Sequence, residues 1–138
     1  VIIGMASIGT CVYDMLTAEY GPVLTGVDSD LDVAKNHQAE GRSVIQADAT
    51  DEQFWHRLAH GNIRMILLAM HDHETNIAVT KLSSELPAVR YAVADYDLQA
   101  IDLEKAGIDK VWSLKSQAGI QFAEDIIAYH APKTSSVT

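Results

Sequence analysis

Two glycines, a methyl group and two carboxylates are the residues whose types and spacing point to chemistry in this chain. Gly4-Met5-Ala6-Ser7-Ile8-Gly9 follows the apolar run Val1-Ile2-Ile3 and leads straight into a helical pattern. In such a strand–turn–helix, glycines let the backbone approach a pyrophosphate whose charge rests on the helix N-terminus. The pattern G-x-G-x-x-G reads here as Gly4-x-Ala6-x-x-Gly9, so a methyl group stands where the middle glycine gives the closest approach. Ser7 offers its hydroxyl either to a phosphate or to the helix terminus. Asp28 lies 19 residues beyond Gly9, close to the roughly 20-residue spacing at which an acidic residue holds ribose hydroxyls and repels a 2′-phosphate. Asp30 competes for that role but also suits a helix cap. Asp48 is either an acceptor for an adenine amino group or a charge that favours the next helix N-terminus.

Other chemistries find less support. His71-Asp72-His73-Glu74 has metal-binding residue types, but no third histidine is suitably spaced, and the segment reads as a helix start capped by Asp72. No metal site is expected. Tyr129 and Lys133 have the Tyr-x-x-x-Lys spacing of short-chain dehydrogenases, but Pro132 interrupts them. Neither a G-x-S-x-G elbow nor a G-x-x-x-x-G-K-[ST] loop occurs. Ten basic and 19 acidic side chains give a net charge of −9, which disfavours nucleic acid and anionic membranes as partners. The lone Cys11 falls on the apolar stripe of the first helix and is expected to be buried. No run approaches the ~20 apolar residues of a membrane span. The chain starts inside a strand at Val1 without an initiator methionine and reads as an excised domain.

Strands alternating with helices would position these residues. The first helix runs from about Ile8 to Tyr20, with Ile8, Cys11, Val12, Met15 and Leu16 on one face, and Gly21-Pro22 stops it. The second strand, Val23–Val27, ends at Asp28, and a helix from about Asp30 to Glu40 follows. The third strand, Ser43–Gln46, precedes a capping box formed by Thr50 and Gln53. Met65–Met70 is an apolar strand buried on both faces, followed by a helix from about Asp72 to Leu86. Val89–Ala94, Leu98–Ala106, Lys110–Leu114 and Gln117–Tyr129 complete the alternation. The expectation is α/β: a single Rossmann-like doubly wound parallel sheet over residues 1–130, six strands in the order 3-2-1-4-5-6, and a tail over 131–138. Ligands of such sheets sit at the carboxyl ends of the strands, near the switch between strands 1 and 4.

The sequence resembles the TrkA-N family (RCK N-terminal, or KTN) of potassium-transport regulatory domains. The resemblance is carried by Gly4–Gly9, Val27-Asp28-Ser29-Asp30, Gln46–Asp51, Leu68–Asn76 and Ala106–Val111. Within the family the chain is most similar to the cytosolic domain of Kef-type glutathione-regulated potassium efflux antiporters. The resemblance implies a non-enzymatic domain at the cytoplasmic face of the inner membrane, binding AMP, ATP or NAD(H) and gating a membrane-embedded transporter portion. It also implies a homodimer formed through the Rossmann domain, with glutathione as a further ligand. By position, Gly4, Ala6, Ser7, Ile8 and Gly9 would meet phosphate, Asp28 the ribose, and Asp48 and Ala49 the adenine, with Met5, Ser29 and Met70 also among the expected cofactor-binding residues. The family usually reads Gly-x-Gly-Arg-x-Gly in the first loop, where this chain has Ala6 and Ser7, and Ala47 replaces a usual glycine. The alternative is the cofactor-binding domain of an NAD-dependent oxidoreductase.

Overall fold

The computed structural model describes residues 1–132. Lys133 and the rest of the expected tail lie outside the described residues. Six parallel strands form one sheet in the order β3-β2-β1-β4-β5-β6, as the alternation predicts. They are β1 (Ile2–Ile3), β2 (Gly26–Asp28), β3 (Val44–Gln46), β4 (Met65–Leu68), β5 (Val89–Ala94) and β6 (Lys110–Ser113). Between and after them run α1 (Ser7–Tyr20), α2 (Leu31–Ala39), α3 (Glu52–Leu58), α4 (His73–Leu82), α5 (Asp97–Ala106) and α6 (Leu114–His130). None of these helices is long and apolar enough to cross a membrane.

Side-chain alternation in β4 builds two cores on the two faces of the sheet. Ile66 and Leu68 join Phe54 and Trp55 of α3, Val79 of α4 and Leu103 of α5 on one face. Leu67 and the following Ala69 join Ile2, Met5, Tyr13 of α1 and Ala34 of α2 on the other. Both faces of β4 are therefore buried, as its unbroken apolar sequence requires.

Local chemistry moves several expected boundaries. α3 is capped by Asp51, whose carboxylate accepts from the Gln53 N–H at 2.9 Å. The expected Thr50 capping box does not form, because the Thr50 hydroxyl donates to Asp48 instead. Cys11 is exposed, not buried. α1 buries Gly9 and Tyr13, which places Cys11 and Met15 on its outer side. The second strand begins at Gly26 rather than Val23, since Gly26 is the first residue to pair with β1.

α4 ends at Leu82 rather than near Leu86, and Arg90 of β5 holds the turn that follows. Its guanidinium is buried and donates to the carbonyls of Ser83, Leu86 (2.8 Å) and Ala88 (3.0 Å). The Ser83 and Leu86 carbonyls also accept from the Leu86 and Ala88 amides, so one cation at the helix C-terminus reinforces a turn that Pro87 keeps from continuing as helix. The Arg90 amide donates to Asp109 at 2.8 Å, tying the same strand to the α5–β6 turn. Arg90→Met keeps the bulk but removes the charged donor from these carbonyls. It is expected to cost roughly 3 kcal/mol of unfolding free energy, read as a fall in the chemical-denaturation midpoint.

Candidate functional site

The turn after β1 is fixed by two close approaches. Gly4 adopts φ +97°, and a Cβ there would lie 2.8 Å from the Met70 side chain. A Cβ on Gly9 would lie 1.8 Å from the Gly4 carbonyl oxygen, so only glycine lets α1 sit down on the turn. Ala6 is the N-cap of α1 with φ −77° and gives no side-chain cap. Nothing in that conformation demands glycine, and the exposed Ala6 methyl stands at the mouth of the helix.

Beside this turn lies a recess of about 120 Å³ between the carboxyl ends of β1, β2 and β4 and the turn after β3. It brings together Gly4, Asp28, Ser29, Asp48, Ala49 and Met70, all of them expected site residues. Ile3, Val27, Thr50 and Thr75 complete its lining, which contains no lysine or arginine. The volume is below the roughly 300 Å³ at which pockets for whole small molecules begin, so it suits one ring system with the remainder lying outside. A larger recess of about 600 Å³ opens at the opposite edge beside Val1, Leu16, Tyr20 and Met65. It faces the amino ends of the strands, where an open α/β sheet does not bind ligands.

The remaining expected residues fall around the recess rather than in it. Ser7, Ile8 and Gly9 form the first turn of α1. The Ile8 side chain packs with the α1–α2 core, which leaves its backbone N–H at the helix mouth. Met5 is 1% exposed, its side chain pressed against Gly26. Any share Met5 takes in ligand binding is a share of its backbone. His71 and His73 are kept apart by separate carboxylates, Asp95 at 2.9 Å and Asp102 at 3.3 Å. No cluster of three or more metal-binding side chains occurs among the described residues.

The two carboxylates differ in how they are held. Asp28 is half-buried and accepts from the Met5 N–H at 3.0 Å and the Asp30 N–H at 2.9 Å, one bond to each oxygen. Asp30 caps α2 through the Asp32 and Val33 amides, the helix-cap role that its position suits. Asp48 accepts the Thr50 hydroxyl at 2.6 Å and the Thr50 amide at 2.9 Å, both on Oδ1. These bonds from Thr50 hold the Asp48 carboxyl below the ordinary carboxylate range. The carboxylate is thereby kept ionised and Oδ2 remains free to accept. Thr50, expected only as a helix cap, and Thr75 were not among the expected site residues. Each hydroxyl donates to an aspartate two or three residues earlier, a local Asx-type signal that was there to be read.

The model of the TrkA-N domain family matches residues 1–114. The chain belongs to the TrkA-N domain family. No curated protein sequence matches it. Among solved structures it is similar to the NAD(P)-binding domain of an exopolyphosphatase-related protein from Archaeoglobus fulgidus. That likeness has a TM-score of 0.81 at 23% identity, covering 91% of this chain and 95% of that one. It is also similar to the TrkA-N domain of the inner membrane protein ybaL from Escherichia coli, with a TM-score of 0.78 at 14% identity, covering 89% and 92% of the two chains. The GsuK channel bound to NAD superposes with a TM-score of 0.72 at 21% identity, covering 82% of this chain and 21% of the channel chain. At these identities the structural likenesses establish the fold of this TrkA-N domain.

The depressed Asp48 carboxyl gives a pH test. A folded-state value below the unfolded one contributes stability above the ordinary carboxylate pKa, and that contribution is lost as pH falls through the lower folded value. Thr50→Val should move the Asp48 titration, followed by carboxyl-carbon NMR, up toward the ordinary value of about 3.9. The stability gap between wild type and variant should be full above about pH 4 and shrink below it.

Proposed function

We propose that this chain is a regulatory domain whose adenine-nucleotide occupancy gates a potassium efflux or transport protein. The observation that carries the reading is the recess at the carboxyl edge, where Asp28 and Asp48 flank the Gly4 turn at the N-terminus of α1. Asp28 takes the ribose hydroxyls, Asp48 Oδ2 and the Ala49 and Met70 walls take the adenine side, and the first-turn amides of α1 take phosphate. GsuK structures bound to NAD and to ADP, both similar in fold, support an adenine nucleotide here. Three features favour AMP over ATP or NAD(H): the Ala6 methyl at the helix mouth, the small recess, and a lining without cations. Ser7 in place of the family's arginine likewise offers no cation to glutathione. The site would lie at the cytoplasmic face of the inner membrane, beside a membrane-embedded transporter portion.

A homodimer supplies the two-state element that a ligand can bias. α6 buries none of its residues, and Ile120, Phe122, Ile126 and Ile127 along it are exposed. The α1 side of β4–β6 carries a recess of about 350 Å³ lined by Ile8, Val12 and Leu16 of α1 and by Tyr91, Val93 and Trp112. A helix without a floor and a floor without a helix, in one chain, fit a pair in which each α6 covers the other protomer's open face. Phe122→Glu combined with Ile126→Glu should then convert a dimer to a monomer in sedimentation velocity. A monomeric wild type would refute the pairing.

Ligand identity is read by thermal shift with AMP, ATP, NAD+, NADH and NADPH. A Kd near 10 μM at 1 mM ligand stabilises by about 2.7 kcal/mol. Ala6→Gly with Ser7→Arg should raise NAD(H) affinity. An unchanged affinity would refute the crowding argument, and no shift with any of the five would refute nucleotide binding.

A further inference from the structure

His37, near the C-terminus of α2, reaches the phosphate-facing turn from below. Its Nε2 lies 2.7 Å from the Met5 carbonyl oxygen, which also accepts the Thr10 hydroxyl at 3.1 Å. Its Nδ1 lies 3.2 Å from Arg42 Nη1. A guanidinium only donates, so Nδ1 must present a lone pair and the ring proton must sit on Nε2. Arg42 is itself held in place. Asp14 of α1 takes its Nε at 2.8 Å and Nη2 at 2.9 Å, and Glu40 takes Nη1 at 2.6 Å. These carboxylates hold the guanidinium charged, and the Arg42 bond keeps Asp14 below the usual carboxylate range.

The consequence falls on one peptide plane. With its carbonyl turned toward α2 and satisfied by two donors, the trans peptide between Met5 and Ala6 directs the Ala6 N–H the opposite way. Ala6 is exposed, and its N–H has no acceptor among the described residues. A flip of this plane would present a carbonyl oxygen to an incoming anion instead of a donor. The neighbouring Met5 N–H is fixed as well, by Asp28. The ribose acid and the phosphate turn thus meet at a single residue.

We infer that His37, held as its Nε2–H tautomer by the Met5 carbonyl and Arg42 together, is a positioning residue that sets the Met5–Ala6 peptide with its N–H toward the ligand's phosphate. The inference rests on the nucleotide reading of the recess for its ligand but not for its geometry. Two measurements test it. Long-range proton–nitrogen NMR on the wild type at neutral pH should show His37 protonated on Nε2. Calorimetry with AMP and adenosine supplies the second test. His37→Leu should weaken AMP about tenfold while moving adenosine less than about twofold, since only AMP uses the peptide that His37 orients. His37→Gln, whose amide nitrogen can reach the same carbonyl, should restore most of the AMP affinity.

An Nδ1–H tautomer in the wild type would overturn the inference. So would equal losses for AMP and adenosine, or a glutamine variant no better than leucine. If the wild type binds neither compound, the nucleotide reading has failed. The tautomer spectrum and the amide exchange rate of Ala6, expected to change in His37→Leu, still decide the role of His37.

Discussion

The rest of the molecule depends on one backbone-to-backbone contact, the seating of Gly9 against the carbonyl of Gly4. A Cβ at Gly9 would come within 1.8 Å of that oxygen, so the absence of a side chain sets how near α1 lies to β1. This packing role belongs to the third glycine of the G-x-G-x-x-G pattern, and it is separate from the pyrophosphate approach that belongs to the second. The chain keeps glycine at the packing position and carries alanine at the other, so the seating of α1 on β1 is independent of the methyl that Ala6 places at the helix mouth.

The sequence was most legible where a residue's neighbours in space are also its neighbours in sequence. Asp30 and Asp72 cap the helices they precede, and Gly21 and Gly41 adopt positive φ where helices stop. Strand order was legible because alternating strands and helices leave few parallel topologies. Periodicity located the faces of β4 but misplaced those of α1, because a stripe of apolar residues marks burial only where something covers it. Met15 is 69% exposed for that reason, and Cys11 faces outward with it. The early end of α4 was invisible because the turn after it is held by Arg90, a residue of another element whose partners are backbone carbonyls.

Within the site, the expected residues divide by which part of each is presented. Asp28 and Asp48 are displayed as side chains, and residue type combined with position after a strand was enough to find them. Met5, Ile8 and Gly9 present only their main chain toward the helix mouth, and sequence says little about where a peptide plane points. His37 escaped notice for the same reason, since its target is a carbonyl. His37 reaches that oxygen, Arg42 backs His37, and Asp14 and Glu40 hold Arg42. Their spacing matches no motif.

α1 also has a mechanical side. Its N-terminal turn borders the recess at the carboxyl edge, while Ile8, Val12 and Leu16 along its flank line the uncovered face of the sheet. At 14 residues it is a rod of about 21 Å, held to the turn by the Gly9 contact. Pivoting at that end by roughly 5° would swing the far end by about 2 Å, enough to change which side chains Leu16 and Tyr20 meet. One helix therefore has its tip beside the candidate recess and its length along the uncovered apolar face, so a displacement at one is felt at the other.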